Sequence, residues 1–407
     1  MAASHPLSKR LITMLNGSCT ERRVRKDRKT KLVFVMTGAC ALTGGIATLN
    51  RNTLRSLIDL AHEYSIDLHV LSFLESAVDR PDWMPAEYQF RPFQGSKVRI
   101  TLAMWRLALQ GSLFVFDHVT LSVPILPAMI SSHNKVIMFA HGSEAWRELR
   151  PTSRWAYRCA DLCLAVSCFT LKKMREMFSG FRAVVCPLGL SPDFKCFDTP
   201  PESVYPDIRM SAVDGHTYAL TQHMLLLVGR MHPKQVGKGH ELVMQAVSLI
   251  GEKYPKLQAV FAGEGDDRSR LEAFAHEQKI ANKVFFCGAV STEELKILYQ
   301  SCYAFVMPSR QEGFGLVYLE AMSYAKPCIG CWDDGAEEVI IDGETGFLIH
   351  DPKDPHELAR VLDTILKHPA EANRLGMQGF ARLRTHFTSA QVQQRIKQHL
   401  LKIFKFP

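Results

Sequence analysis

The sequence predicts an α/β protein of two domains, each with a parallel β-sheet that helices cover on both faces. Three observations predict this class. In both halves of the chain, short and nearly continuous apolar runs alternate with helical periodicity, which is typical of strands buried on both faces of a parallel sheet. The 407 residues are 47% hydrophobic, which is enough for two cores. Residues 194–222 contain several prolines and little periodicity, and so predict a linker between the halves.

The predicted first domain, residues 31–193, contains six strand-like runs. They lie at residues 32–36, 66–73, 112–116, 135–139, 162–167 and 183–185. Ligands of such sheets bind beyond the carboxyl ends of the strands. Gly44 and Gly45 follow the first strand, where glycine backbone admits a phosphate or a sugar, although a plain tight turn explains the pair equally well. His141 follows the fourth strand, and a histidine in such a place is more often structural than functional.

The predicted second domain, residues 223–388, repeats the pattern. Its strand-like runs lie at residues 224–228, 259–262, 284–287, 303–307 and 347–349, and three helices follow to the end of the chain. Arg230 follows the first of these strands and Lys238 precedes a helix, so both are placed to neutralise a pyrophosphate. Taken alone, each would more often be a solvated surface charge.

The net charge of +8 is concentrated at the N-terminus. Residues 1–31 carry nine Lys/Arg against two Asp/Glu, whereas the remaining residues carry 40 against 39. We therefore predict a basic arm over residues 1–30. Its residues 22–31 either hold an anionic membrane surface or form a solvated terminus. Nucleic acid is not an expected partner, because the arm lacks interleaved aromatic residues.

Residues 32–49 are uncharged and follow the basic cluster, as a signal anchor would. Their glycines and threonines instead favour a buried strand, a turn at Gly44-Gly45 and a helix. The first 20 residues lack a long apolar run, so no secretion signal is predicted. The lack of a predicted secretion signal and the odd count of eleven cysteines together predict a reducing, cytoplasmic location. The basic arm leaves open that the protein binds peripherally to the inner face of a membrane. Cys328-x-x-Cys331 has no second pair and lies in a strand-like run, so we predict buried thiols and no metal site.

The most informative stretch is residues 308–322. It predicts a glycine loop between a strand and a helix, because it follows the run at 303–307 and precedes helical spacing. Gly313 and Gly315 let a ligand approach the backbone, and the amides near Leu316 and Val317 present donors to an anion. A surface loop before an ordinary amphipathic helix is the alternative, which a lone Gly-x-Gly does not exclude.

Two glutamates flank this loop. Glu312 lies before the helix and Glu320 lies about one turn inside it, so the carboxylates reach different parts of one extended ligand. Because a carboxylate repels phosphate, both are suited to accept hydrogen bonds from hydroxyl groups. A ligand with phosphates in its middle and hydroxyl-rich rings at both ends is a nucleotide sugar.

Residues 308–322, with seven residues between the glutamates, resemble the donor-site signature of the retaining glycosyltransferases of family 4. These enzymes have the GT-B fold, in which two Rossmann-like domains face each other across a cleft. The resemblance implies that Glu312 contacts the transferred sugar and Glu320 the ribose, within a donor-binding motif that also contains Gly313, Phe314, Gly315, Leu316 and Val317. It is strong over residues 225–348 and moderate before Pro192. Residues 332–338 depart from it, since aspartates replace glycines there.

Further motifs of the family are matched in both halves. The pattern Gly-Arg-x(n)-Lys-Gly-His is similar to the phosphate-binding pair of the family, which assigns that role to Arg230 and to Lys238, with Lys234 as the alternative to Lys238. Val290 matches the turn against which the nucleobase packs. These residues complete the implied donor site of the second domain.

In the first domain, the run at residues 139–146 is similar to the family segment whose histidine lies beside the reacting sugar. The resemblance therefore makes His141 the catalytic candidate of this half. His118 is a weaker candidate for lining the acceptor pocket. Gly44 and Gly45 match a glycine pair that contacts the donor from the opposite side of the cleft.

The resemblance implies a retaining hexosyltransferase that moves a hexose from a UDP- or GDP-linked sugar to a saccharide or lipid-linked saccharide, in surface polysaccharide or glycolipid synthesis. The second domain would hold the donor, the first the acceptor, and a last helix within residues 389–407 would cross back to the first domain. Arg230, Lys238 and the helix start near Leu316 would stabilise the leaving diphosphate, with Glu312 and His141 at the sugar. The chain has no Asp-x-Asp, so we expect a metal-independent enzyme without a cofactor beyond the nucleotide sugar co-substrate. The alternatives on this fold are a sugar-nucleotide epimerase, a glycogen-type phosphorylase and a non-catalytic sugar-nucleotide-binding subunit.

Overall fold

The structure is a computed structural model that describes residues 31–42, 44–147, 149–192, 194–204, 207–232 and 237–404. The predicted basic arm, residues 1–30, and Lys234 lie outside the described residues.

The first half forms a seven-stranded parallel sheet with the strand order β3-β2-β1-β4-β5-β6-β7. The strands are β1 (Lys31–Met36), β2 (Asp67–Ser72), β3 (Gln89–Pro92), β4 (Leu113–Phe116), β5 (Lys135–Ala140), β6 (Leu162–Ala165) and β7 (Ala183–Val185). β1 is central, since it pairs with β2 from Lys31↔Asp67 and with β4 from Leu32↔Leu113. The edge strand β3 was missed because it is short and polar and ends in a proline.

Helices cover both faces of this sheet. They are α1 (Gly45–Glu63), α2 (Lys97–Ala108), α3 (Val119–Ser122), α4 (Leu126–Met129), α5 (Ser143–Trp146), α6 (Pro151–Cys159) and α7 (Cys168–Met177). Successive residues of β1 point to opposite faces. Phe34 packs in the same apolar cluster as Leu54 of α1, whereas Val35 packs with Met104 of α2. The continuous apolar run of β1 is therefore explained by burial on both faces.

The second half forms a six-stranded parallel sheet with the order β12-β11-β10-β13-β14-β15. Its strands are β10 (Met224–Val228), β11 (Gln258–Ala262), β12 (Val284–Gly288), β13 (Ala304–Val306), β14 (Cys328–Cys331) and β15 (Gly346–Ile349). Its helices are α8 (His240–Ile250), α9 (Arg268–Glu277), α10 (Thr292–Ser301), α11 (Leu316–Met322), α12 (Pro355–Lys367), α13 (Pro369–His386) and α14 (Ser389–Ile403). The predicted α/β class with two parallel sheets is confirmed.

A hairpin lies within the segment that the sequence predicts to be a linker. Its antiparallel strands are β8 (Arg209–Ser211) and β9 (Thr217–Ala219). The hairpin packs on the second sheet, since the Val213 amide donates to the Val284 carbonyl at 3.0 Å. Ordered structure of the second half thus begins before residue 223.

The last helix, α14, packs against α1 of the first half. Ser56 Oγ donates to the Gln393 carbonyl at 3.3 Å, and Lys397 forms an ion pair with Glu63. At the turn before α14, the Leu190 amide donates to the Phe387 carbonyl at 2.8 Å. The chain therefore ties the two halves together at its end.

Residues 32–36 lie in β1 and residues 45–49 begin α1, as the sequence favours over a membrane span. Leu32 to Met36 are fully buried in the sheet. Across the described ranges, every helix is too short or too polar to cross a membrane.

Candidate active site

The carboxyl ends of the two sheets face each other, and the loops after β5 and β13 touch. A Cβ added to Gly313 would lie 1.8 Å from the carbonyl oxygen of His141, which no side chain tolerates. The Gly313 carbonyl accepts hydrogen bonds from Ser167 Oγ at 2.6 Å and from Thr170 Oγ1 at 3.2 Å. The sequence analysis predicted that this glycine admits a ligand. In the structure, the lack of a side chain at Gly313 allows the backbone of the first domain to approach it closely.

A crevice of about 240 Å³ lies beside this contact. Residues of both domains line it, including His141, Glu144, Lys238, Glu312 and Gly313. Within it, the Lys238 ammonium forms an ion pair with the Glu312 carboxylate, and the side chains are 28% and 21% exposed. The structure thus brings three of the four predicted catalytic residues together.

Arg230, the fourth, lies in a neighbouring cavity of about 350 Å³ that Lys238 also lines. Its side chain is exposed and makes no hydrogen bond or ion pair with a described residue. Lys238 therefore stands between a cavity with an available guanidinium group and a crevice with a carboxylate. If an anion bound both Arg230 and Lys238, the Glu312 carboxylate would face the chemical group attached to that anion.

Lys238 is positioned by the glycine that follows it. Gly239 has a φ of +88°, which is the left-handed region that glycine favours, and α8 begins directly after it. A Cβ at Gly239 would also lie 2.8 Å from the carbonyl oxygen of Pro308. On the other side, the Gly237 carbonyl accepts a hydrogen bond from the Arg310 amide at 2.5 Å. The turn that carries Lys238 is thus packed on the loop that leads to Glu312.

Asp334 fixes the loop that contains Glu312 through hydrogen bonds. It is 1% exposed, and its carboxyl group accepts hydrogen bonds from the Glu312 amide at 2.5 Å and from Ser309 Oγ at 2.6 Å. Burial raises the pKa of Asp334 to about 8, against the opposing effect of the Ser309 hydrogen bond. The carboxyl group is therefore largely protonated at neutral pH.

The raised pKa predicts a pH dependence of stability. Protonation of Asp334 favours the folded state, so its contribution is fully present below the usual pKa of an aspartate and is lost as the pH rises through about 8. Asp334→Asn keeps an oxygen for the Glu312 amide and removes the titration. We expect the free energy of unfolding of the wild type to fall by a few kcal/mol relative to the variant between about pH 5 and pH 8.5, measured by urea unfolding. A constant difference between the two proteins across this window would contradict the assignment.

The helix that follows the glycine loop, α11, begins at the cleft. Gly315 caps it with a φ of +87°. Leu316 and Val317 are half-buried. Gly45 faces this helix start from the first domain, since a Cβ on Gly45 would be 3.7 Å from Leu316 Cδ1. The predicted glycine pair and the predicted anion-binding helix start are therefore on opposite walls of one cleft.

Glu320 lies further inside the second domain. It is half-buried, and its carboxylate accepts a hydrogen bond from the Tyr299 hydroxyl at 2.8 Å. Burial raises the pKa of Glu320 to about 7, while the hydrogen bond acts in the opposite direction. Glu312 and Glu320 thus occupy separate environments.

His141 is anchored from the first domain. Its Nε2 donates to the carbonyl oxygen of Asp117 at 2.5 Å, and its amide donates to the Glu144 carboxylate at 2.5 Å. The hydrogen bond to the Asp117 carbonyl places the proton of the neutral imidazole on Nε2 and leaves Nδ1 as an acceptor. His118, next to Asp117, caps α3 by accepting from the Thr120 amide, and burial lowers its pKa.

Two other predicted residues have clear surroundings. The Phe314 side chain is 2% exposed and packs edge-on against the Phe387 ring, so only its backbone is available to a ligand. Val290 follows β12 and is half-buried against the apolar core.

In the described part of the chain, no group of three or more His, Cys, Asp and Glu side chains is arranged to hold a metal ion. Cys328 and Cys331 are buried thiols.

Residues 215–382 match the family model of the glycosyl transferases group 1. The matched segment covers β9 to most of α13, and hence Arg230, Lys238, Glu312 and Glu320.

Two relatives are similar to the chain over longer segments. The chain is 26% identical over 258 residues to a GDP-mannose-dependent α-(1-6)-phosphatidylinositol monomannoside mannosyltransferase of Mycolicibacterium smegmatis, with 60% of this chain and 64% of that protein covered. It is 32% identical over 188 residues to the D-rhamnosyltransferase WbpZ of Pseudomonas aeruginosa, with 46% and 47% covered. The chain therefore spans less than two thirds of the length of these relatives.

The fold is shared over almost the whole chain. Sucrose-phosphate synthase of Thermosynechococcus elongatus superposes with a TM-score of 0.73 at 18% identity, over 93% of this chain and all of that one. HepE of Anabaena, in complex with UDP and glucose, superposes with a TM-score of 0.69 at 19% identity, over 92% and 100%. The fold of this chain is GT-B, as the sequence predicts.

Sequence analysis missed several polar residues that hold the site of this GT-B protein. Asp117 is fully buried and accepts from the Thr37 amide at 2.7 Å and from Asn50 Nδ2 at 2.8 Å. Glu75 is also fully buried and accepts from the Ala39 amide at 2.8 Å, which fixes the loop before Gly44. Both acids follow or adjoin a strand end, and this is the only sequence signal that marks them.

The segment at 332–338, which departs from the family pattern, contributes to the domain contact. Asp333 forms an ion pair with Lys172 of α7 at 2.8 Å, and the Glu338 carboxylate accepts from the Cys168 amide at 2.8 Å. Arg147 also donates to the Gln311 side chain across the cleft. Asp333 and Glu338 of this segment thus link the second domain to the first.

Proposed function

We propose that the protein transfers a hexose from a UDP- or GDP-linked sugar to a saccharide or lipid-linked saccharide, with retention of the anomeric configuration. The observation that carries this proposal is the position of Lys238, which lies between the Arg230 cavity and the Glu312 crevice at the facing ends of two sheets. The group 1 family match and the names of the relatives support a glycosyl transfer. The names of two relatives specify mannosyl and rhamnosyl transfer.

In this proposal the diphosphate binds Arg230 and Lys238, and the sugar occupies the crevice beside Glu312. Negative charge grows on the diphosphate as the glycosidic bond breaks, and two preorganised cations stabilise it most in the transition state. We propose metal-independent transfer, because these side chains supply the positive charge. Lys238 is paired with Glu312 in this structure, so donor binding must exchange that partner for phosphate and free Glu312 to accept from sugar hydroxyls.

His141 is the proposed catalytic residue of the first domain. Its carbonyl oxygen lies at Gly313, and its Nδ1 is available to accept from a sugar hydroxyl. We expect His141→Ala to lower kcat/KM by about a hundredfold with the nucleoside diphosphate affinity retained. Steady-state kinetics with a nucleoside diphosphate titration measure both. An unchanged kcat/KM would remove His141 from the reaction.

Glu320 is the proposed ribose contact, which predicts a pH-dependent donor affinity. The ionised carboxylate is the better acceptor for hydroxyl groups, and its pKa of about 7 means that ionisation is incomplete at neutral pH. The dissociation constant of the nucleotide sugar should therefore fall as the pH rises from about 6 to 8, and Glu320→Gln should flatten this dependence. The nucleotide sugar is the right ligand, because the terminal phosphate of a nucleoside diphosphate titrates near pH 6 itself. A variant that keeps the wild-type slope would contradict the role.

The test of the function is nucleoside diphosphate release from a panel of UDP- and GDP-hexoses, with and without acceptors. Thermal-shift measurements with UDP and GDP select the base first. A transferase releases nucleoside diphosphate in proportion to acceptor. Conversion of the sugar without acceptor would instead identify an epimerase, and binding without release would identify a non-catalytic subunit.

The proposal also includes the cellular location and the pathway of the reaction. We propose a cytoplasmic enzyme of surface polysaccharide or glycolipid synthesis, with the basic residues 22–31 as a contact to the inner face of a membrane. Residues 31–193 and 223–388 are the proposed acceptor and donor domains.

A further inference from the structure

An apolar stripe runs along the exposed side of α2. Val98, Leu102 and Leu109 are 70%, 65% and 81% exposed, and the half-buried Trp105 lies between the last two. The spacing of these four residues places them on one face of a helix. A different set of residues, with Ile100 and Met104 among them, packs in the core. Trp105 also packs against this core, and its indole N–H donates to the Pro124 carbonyl at 3.1 Å. Val98, Leu102 and Leu109 are therefore the members of the stripe that are not needed to hold α2 on the sheet.

Cations flank this stripe, and the described structure leaves them unneutralised. Lys97, Arg99 and Arg106 are exposed, and none of their side chains forms a hydrogen bond or an ion pair with a described residue. The helix contains no acidic residue that could neutralise them. Their charge is thus available to an external anion.

The surrounding part of the first domain is basic as well. Residues 88–160 carry nine Lys/Arg and three Asp/Glu, whereas residues 32–407 as a whole carry 40 and 39. Two of these acids, Asp117 and Glu144, accept hydrogen bonds within the site. Residues 88–160 therefore carry an excess of basic residues, one of which, Lys135, is paired with Asp161 at 2.8 Å.

The stripe also begins beside the cleft. The Ser96 amide donates to the Phe93 carbonyl at 2.9 Å, and the Phe93 amide donates to the carbonyl of Ser72, the last residue of β2, at 2.9 Å. The N-terminus of α2 is thereby fixed at the carboxyl edge of the first sheet, which is the edge that faces the second domain.

We infer that this face of α2, formed by Lys97, Val98, Arg99, Leu102, Arg106 and Leu109, docks the protein on an anionic lipid bilayer. The apolar side chains enter the boundary between headgroups and acyl chains, and the cations contact lipid phosphates. This combination distinguishes a lipid surface from a second copy of the chain, whose α2 face would repel the first. The inference rests neither on the proposed reaction nor on residues 22–31.

Vesicle flotation of the full chain tests the docking. The vesicles contain phosphatidylcholine alone or phosphatidylcholine with added phosphatidylglycerol, at low salt. We expect binding to the anionic vesicles only. Leu102→Ser with Leu109→Ser, and separately Lys97→Gln, Arg99→Gln and Arg106→Gln together, should each weaken it by about tenfold or more. All of these side chains are exposed, so the unfolding temperatures should match the wild type.

Matched controls remove the same chemistry from the second domain. Leu249→Ser with Ile297→Ser replaces side chains that are 47% and 43% exposed, and Lys256→Gln, Lys279→Gln and Lys367→Gln remove three exposed charges that form no ion pair with a described residue. These controls should bind as the wild type does.

Several outcomes would overturn the inference. They are absence of wild-type binding to anionic vesicles, equal losses in the controls, and full binding by either α2 variant. Binding that is lost only when the basic residues at 22–29 are changed to Gln would assign the contact to the arm instead. A concentration-dependent dimer that the Leu102 and Leu109 changes abolish would assign the face to a second copy.

Discussion

Lys238→Ala is expected to lower kcat/KM by about a hundredfold or more, because it removes one of two cations that face the leaving diphosphate. The fold should persist. The Lys238–Glu312 ion pair is partly exposed, and its loss should cost about 1 kcal/mol of unfolding free energy. Steady-state kinetics and urea unfolding measure the two effects. Full activity of this variant would remove Lys238 from the reaction and take the proposed function with it.

The partner of this ion pair provides the control. Glu312→Gln keeps the shape of the side chain and removes the charge that competes with phosphate for Lys238. Nucleoside diphosphate should therefore bind severalfold more tightly to Glu312→Gln, while turnover of the nucleotide sugar falls. A purely structural ion pair predicts weaker binding in both variants. Lys256→Ala, at an exposed lysine outside both cavities, should leave every measured quantity unchanged.

The central strands were predictable because burial on both faces leaves an apolar run in the sequence. β7 and β10 occupy the predicted residues, and β1 differs from its prediction by one residue. The strands that were missed, β3 and the pair β8 and β9, are three or four residues long and lie at edges. Such strands bury few side chains, so their composition resembles that of loops.

The sequence predicted several residues that the structure brings to one cleft, but not how they are connected. Glycines, basic residues and glutamates near strand ends suited a phosphate and hydroxyl ligand, and the family resemblance assigned their roles. The pairing of Lys238 with Glu312 joins residues 74 positions apart, and only the packing of two turns brings them together. Buried acids such as Asp117 and Asp334 look like surface residues in a sequence, because their partners are backbone amides and short polar side chains.

Gly313→Ala is expected to separate donor binding from turnover. The added methyl group would lie 1.8 Å from the His141 carbonyl oxygen, so the two loops must move apart, and the hydrogen bonds from Ser167 and Thr170 to the Gly313 carbonyl would weaken. A displacement of about 1 Å at the reacting groups lowers the rate by about a hundredfold. Overpacking of this kind should also lower the unfolding free energy by about 1–3 kcal/mol. Kinetics and urea unfolding measure these changes.

The same variant should still bind nucleoside diphosphate, because all residues that line the cavity of Arg230 and Lys238 belong to the second domain. Gly379→Ala is the matched control. It adds a methyl group to helix α13 of the same domain, where the nearest atoms are Cγ of the buried Met322 at 3.1 Å and the Thr345 carbonyl oxygen at 3.4 Å, against 1.8 Å at Gly313. That change should leave kcat/KM unaltered and the unfolding free energy within about 1 kcal/mol of the wild type. Normal turnover by Gly313→Ala would mean that the touching loops are not the arrangement in which sugar is transferred, and the cleft would then have to react in a more open form.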